Sequence, residues 1–188
     1  MKICYLKIRN FKSICELEIK NVESAMILVG KNNTGKTAVI DALLLAAGMR
    51  IIKPYEYLDS TCTVEIKLQI AYTESDLNYF HSKGIISKAH DYEEWLKEFE
   101  TSLPSFQDGI ISFTCLIDPD QSIRYEDGFQ ENNPFIVDIF PKIYHIDQNR
   151  NLEALQNDVF SFYDKESFQM LKDNLCTFDS TRTCNLCF

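Results

Sequence analysis

The stretch Gly30-Lys31-Asn32-Asn33-Thr34-Gly35-Lys36-Thr37 has the spacing G-x-x-x-x-G-K-[ST] and lies between two apolar segments. Ala25-Met26-Ile27-Leu28-Val29 before it reads as a short buried strand, and Ala38 to Ala47 after it reads as a helix. That order is the setting in which the spacing makes a phosphate-binding loop. Gly30 and Gly35 let the main chain double back, and no proline between them removes an N–H donor. The main chain of Gly30, Asn32, Asn33, Thr34, Gly35 and Ala38 is therefore expected to cradle anionic oxygens, backed by the positive end of a helix opening at Lys36. Lys36 is placed to lay its ammonium on the β- and γ-phosphates, and the Thr37 hydroxyl to ligate Mg²⁺. The expected ligand is a nucleoside triphosphate, ATP, with Mg²⁺.

The 188 residues suffice for one substantial core, or one core and the beginning of a second unit. With 45% hydrophobic and 25% charged residues, wholesale disorder is excluded. No apolar run approaches the roughly 18 residues of a membrane span. Lysines break up Met1 to Lys7, so a secretory signal is not expected there and the expected address is the cytoplasm. Seven cysteines, an odd number, lie mostly inside apolar segments, which predicts reduced core thiols and no disulfide framework. Cys184 and Cys187 form a C-x-x-C with the spacing of half a zinc site, but the only histidines are His81, His90 and His145.

Charge is uneven along the chain. Residues 1–53 carry nine Lys/Arg against four acids, whereas the whole chain has a net charge of −9. A basic N-terminal part suits a triphosphate. The acidic remainder argues against strong non-specific DNA binding by this chain alone.

Patterning predicts an α/β order. Lys2 to Arg9 alternates as a strand, Asn10 to Ser13 reads as a turn, and Ile14 to Ile19 alternates again. Gly48 and Pro54 should stop the loop-bearing helix. Thr61 to Tyr72 is the cleanest period-two run and should be half exposed in an antiparallel sheet. Ser75 or Asp76 is placed to cap a short helix, and Asp91 to Ser102 is helical with Trp95, Leu96 and Phe99 on one side, ended by Pro104. Strands follow at Gly109 to Ile117 and near Ser122 to Tyr125, then a buried strand at Lys142 to Asp147 and a helical pattern from Leu152 onward.

Ile8-Arg9-Asn10-Phe11-Lys12-Ser13, a strand, and then Leu28 to Leu43 with the phosphate loop together resemble the N-terminal segment of ABC-type ATPase heads of the SMC, RecF and OLD-nuclease group. The resemblance is dense over residues 1–50 and loose beyond. It implies a P-loop NTPase fold with a mixed sheet, antiparallel N-terminal strands plus a parallel core, around the loop helix. Residues 1–150 would form the nucleotide-binding lobe and 151–188 the start of a helical arm, as the N-terminal part of a longer ATPase. It also places Lys12 and Ser13 beside the nucleotide, although Lys12 reads equally as a solvated turn lysine. Gln148 stands where a Q-loop glutamine would approach Mg²⁺ and the γ-phosphate, flanked by Asp147 and Arg150.

The rest of that group's catalytic apparatus, a Walker B strand ending in Asp-Glu, a signature motif and a switch histidine, is not visible. Phe113 to Asp118 is a superficial Walker B, but Pro119 follows and the order is wrong, so it reads as a sheet strand ending in a turn. No acidic cluster of the kind found in OLD nucleases is visible either. The resemblance therefore implies an ATP-binding lobe for DNA repair or defence against foreign DNA, in which ATP draws two heads together as a homodimer. DNA contact would come through the full assembly, and the isolated chain would turn over little ATP. Two other readings stay open: a small P-loop kinase, although Arg9, Arg50, Arg124, Arg150 and Arg182 form no lid cluster, and a non-catalytic nucleotide-dependent interaction module.

Overall fold

Alternating apolar and charged side chains make Lys2–Phe11 the first strand, β1, and Ile14–Ile19 the second, β2. The computed structural model describes residues 1–22, 28–29, 35–141 and 143, and these belong to one unit, Met1–Ile143. Three further strands, β3 (Val64–Ala71), β4 (Ile110–Ile117) and β5 (Ile123–Asp127), complete a sheet of order β2-β1-β3-β4-β5. Every pairing in it is antiparallel, with Ile8 opposite Ile66, Leu68 opposite Phe113 and Cys115 opposite Tyr125.

Period two sorts the two faces. Leu6, Ile8, Ile66, Leu68, Ile70, Phe113 and Cys115 are buried on one. On the other, Lys7 pairs with Glu16 at 2.7 Å and Arg9 with Glu65 at 3.2 Å across neighbouring strands. Such exposed pairs set register more than they stabilise.

The loop helix α1, Lys36–Ala46, covers the apolar face beside β1 and β3. Ala38, Val39, Ala42, Leu45 and Ala46 are its buried residues, spaced for a single stripe, and the three alanines bring the helix close to the sheet. It ends as Gly48 predicts: Gly48 takes a left-handed φ of 68° and the Ala47, Gly48 and Met49 amides donate to Leu43, Leu45 and Leu44 carbonyls.

Helices α2 (Glu74–Lys83) and α3 (Tyr92–Ser102) pack through rings, with His81 and Trp95 centroids 5.5 Å apart and Phe80 and Phe99 6.2 Å apart, and Phe106 meets Phe99 edge-on at 5.1 Å. Trp95 and Phe99 are buried and Leu96 is half-buried, as the helical pattern predicts. The buried Trp95 indole N–H donates to the Ile85 carbonyl at 3.0 Å. A last short helix, α4 (Phe135–Ile139), is tied to the end of β3 by the Tyr72 hydroxyl, which donates to the Ile139 carbonyl at 3.0 Å.

Several expectations change. The first turn tightens to Lys12-Ser13, because β1 runs through Asn10, whose side chain is bound to the Asp59, Cys62 and Thr63 carbonyls, as far as Phe11, opposite Ile14. Thr73, not Ser75 or Asp76, caps α2; Asp76 is its reciprocal partner three residues on, accepting from the Thr73 amide at 2.8 Å. Cys115 is a buried core thiol, its pKa raised by burial to about 12, but Cys15 and Cys62 are exposed, on an edge strand and in a loop respectively. All four described cysteines are free.

The parallel core of the expected mixed sheet does not appear among the described residues. It rests on the strands expected at 25–29 and 142–147, most of which lie outside them. Of the three described positions there, none is in a strand; Leu28 and Ile143 pack against the core and Val29 is exposed. Residues 151–188 and the Cys184/Cys187 pair also lie outside. Among the described residues no helix is long and apolar enough to cross a membrane, and no group of three or more His, Cys, Asp or Glu side chains could hold a metal ion.

Trp95 is the only tryptophan, so its emission reports on α2 and α3 alone. Phe99→Ala removes the ring at the centre of their cluster and should cost about 3–5 kcal/mol in urea unfolding. Emission and far-ultraviolet circular dichroism should move together; two separated transitions would show that the helical pair folds apart from the sheet.

Candidate nucleotide site

Gly35 is the residue from which α1 springs, with a φ of 88° that side-chain-bearing residues rarely adopt. A Cβ there would also stand 3.3 Å from the Ser13 hydroxyl oxygen and 3.4 Å from Ile14 Cγ1. The backbone conformation therefore favours glycine at the second motif position, and the β1–β2 turn approaches closely enough that a Cβ there would be tight against Ser13.

The N-terminus of α1 suits an anion. Its first internal bond is from the Val39 amide to the Gly35 carbonyl at 3.2 Å, which leaves the amides before it to be satisfied by something else. Among the described residues no side chain caps this end, and no acidic residue stands in the first turn. Lys36 opens the helix half-buried, the Thr37 side chain is exposed, and Ala38 is buried in the core, so that Ala38 could meet a ligand only through its main chain.

The structure places Ser13 close to Gly35, and Lys36, Thr37 and Ala38 follow in the first turn of α1. Gly30, Asn32, Asn33, Thr34 and Gln148 lie outside the described residues, as do Asp147 and Arg150.

Lys12 is ion-paired rather than free in solvent. It has a left-handed φ of 52°, its ammonium pairs with Asp41 on α1 and, at 3.2 Å, with Glu56, and it lies 5.5 Å from the Phe11 ring centroid. Its amide donates to the Glu56 carbonyl at 2.6 Å. A positive φ at a non-glycine residue costs about 1 kcal/mol or more. The contacts to Glu56, through main chain and side chain together, hold the turn in that conformation.

Glu56 ends a short 3-10 turn, Pro54–Glu56, and its carboxylate is only 4% exposed. It accepts from both sides: Arg50 Nη2 at 2.6 and 2.8 Å, and the Lys53 amide at 2.9 Å. Burial alone would push this carboxyl above its ordinary pKa. The Lys53 amide and the Arg50 and Lys12 charges outweigh burial and hold it below. Arg50 Nη1 lies 2.9 Å from Asp41 Oδ1 but makes no aligned hydrogen bond there.

Lys12, Asp41, Arg50 and Glu56 thus form a four-charge cluster beneath the turn, two cations against two anions. Sequence reasoning reached Lys12 but missed the other three. Asp41 is only a polar break in an apolar helix, and nothing in Arg50 to Tyr57 signals that a loop glutamate is buried.

The superficial Walker B acid is structural. Asp118 ends β4 in a turn closed by its amide to the Ser122 carbonyl at 3.0 Å, and its carboxylate accepts from the Thr63 hydroxyl at 2.7 Å and from Arg124 at 3.4 Å. These bonds fasten β3, β4 and β5 to one another, as expected of a sheet strand running into a turn.

Comparison with known proteins agrees with this architecture. No curated protein matches the chain. A structure from work on ATP-driven dimerization and DNA-stimulated activation of SMC ATPases superposes with a TM-score of 0.52 at 14% identity, covering 92% of this chain and 98% of that one. A second, an SMC head bound to the C-terminal winged-helix domain of ScpA, has a TM-score of 0.48 at 16% identity, covering 74% of this chain and 39% of that one. The first likeness establishes the SMC-head type of P-loop fold. The model of the AAA ATPase domain matches residues 1–183, and the chain belongs to that family.

Proposed function

We propose that this chain is the ATP-binding lobe of an SMC-like ATPase, and that it grips Mg²⁺-ATP at the start of α1. The observation that carries the reading is Gly35: a left-handed glycine close to Ser13 that opens a helix with Lys36 and Thr37 as its first residues. In this reading the main chain of Gly30 to Ala38 holds the phosphates, Lys36 neutralises the β- and γ-oxygens, and Thr37 holds the metal. Ser13 and Lys12 stand on the side of the β1–β2 turn, and Gln148, which follows the strand expected at 142–147, is assigned the Q-loop role toward Mg²⁺ and the γ-phosphate.

ATP then brings two such lobes together as a homodimer. This fits what is described for the SMC ATPases of like fold, whose dimerization is ATP-driven and whose activation is DNA-stimulated. The working role is DNA repair or defence against foreign DNA in the cytoplasm, with DNA bound by a fuller assembly. Residues 1–150 serve as the lobe and 151–188 begin a helical arm.

Asp118, the superficial Walker B acid, is committed to holding the sheet. Turnover by the isolated chain should therefore be far below ordinary enzyme rates.

Lys36→Ala removes a charged donor to phosphate and should weaken ATP binding by about ten- to a hundredfold in calorimetric titration. The variant should still melt cooperatively. Equal affinity in the wild type and the variant would refute the site. Size-exclusion chromatography should show a dimer with Mg²⁺-ATP and a monomer with ADP; one elution volume in both states would remove the dimerisation part of the proposal.

A further inference from the structure

The four-charge cluster is built with more cation contact than its acids need. Asp41 is approached by both Lys12 and Arg50, and so is Glu56. Removing Lys12 from the cluster leaves each acid still facing Arg50, which already binds both oxygens of Glu56. Arg50 also keeps a donor in reserve: Nη1 sits 2.9 Å from Asp41 Oδ1 without an aligned bond, so a small rotation would let it take over the place Lys12 vacates. The opposite exchange is less complete, because Lys12 meets both carboxylates through one nitrogen on a flexible stem, whereas Arg50 gives each acid a nitrogen of its own on a planar group.

Position matches this asymmetry. Lys12 directly precedes Ser13, which touches Gly35, and Asp41 lies five residues into α1 from Lys36, about 7–8 Å along the helix axis. A four-carbon lysine stem can swing its ammonium over that range while the backbone of the turn stays fixed by the Lys12 amide on the Glu56 carbonyl.

We propose that Lys12, Asp41, Arg50 and Glu56 form a charge-balanced relay. It stores Lys12 beside the first turns of α1 and releases it to an arriving triphosphate, and Arg50 is the positioning residue that keeps both acids paired once Lys12 has left. The proposal rests on the nucleotide reading above. It adds that the affinity for a triphosphate is set partly by side chains that never touch it, and with opposite signs: the acids hold Lys12 back, and Arg50 lets it go. A role limited to structural support would give both the same sign.

The test is calorimetric titration of the whole chain with Mg²⁺-ATP, each variant being melted beside it. Glu56→Gln weakens the hold on Lys12 and keeps the main-chain anchor, so it should tighten ATP binding by about two- to fivefold while lowering the melting temperature. Asp41→Asn should act in the same direction. Arg50→Met leaves Lys12 as the only counter-charge for two acids and should weaken binding by about two- to fivefold. In a Lys12→Ala background, Arg50→Met should have no further effect, because there is no lysine left to release. Arg50→Lys should recover part of the loss.

Weaker or unchanged binding in both acid variants overturns the relay, as does a full additional loss from Arg50→Met in the Lys12→Ala background. If the arginine variants do not fold, the signs of Glu56→Gln and Asp41→Asn decide alone. Absence of ATP binding by the wild type is a different failure: it removes the nucleotide reading, and the relay with it.

Discussion

The turn between the first two strands is held from both sides, and the architecture of the site depends on that grip. On one side Ser13 lies against Gly35 at the opening of α1. On the other, the Lys12 amide and ammonium are bound by the main chain and side chain of Glu56, a glutamate that almost no solvent reaches. Leaving such a carboxylate unpaired would cost several kcal/mol. The strained φ at Lys12, the cations around Glu56 and the glycine at Gly35 are therefore parts of one arrangement that places the turn next to the phosphate-loop helix.

The rest of the fold supplies a rigid platform for that arrangement. One face of the antiparallel sheet receives an alanine-rich stripe of α1, which fixes where the helix starts relative to β1 and β3. The opposite face is laced by cross-strand ion pairs and faces solvent. The aromatic cluster of α2 and α3 extends the core at a distance from the turn, so its contribution is to stability.

Much of this was legible in the sequence for physical reasons. Period-two alternation places β3 with one face buried, and a glycine at the end of an apolar run terminates α1 at Gly48. The phosphate-loop spacing predicts the helix start at Lys36, and Pro119 after Asp118 predicts a turn where a catalytic strand end would otherwise be read. The cap of α2 was misplaced because Thr73, Ser75 and Asp76 all carry capping oxygens, and only the reciprocal bond from Asp76 back to Thr73 selects among them. Glu56 and Arg50 were not legible at all. Their roles come from long-range packing of an irregular loop beneath a turn about forty residues earlier, and neither periodicity nor local propensity encodes such a meeting.

The central claim, that the start of α1 together with the adjoining turn receives a triphosphate, is tested most directly by following backbone amide resonances during addition of Mg²⁺-ATP. The account predicts saturable shifts concentrated on Ser13, Gly35, Lys36, Thr37 and Ala38, with the amides of α3 unmoved. No shifts at near-millimolar nucleotide, or shifts clustered away from Gly35, would contradict it.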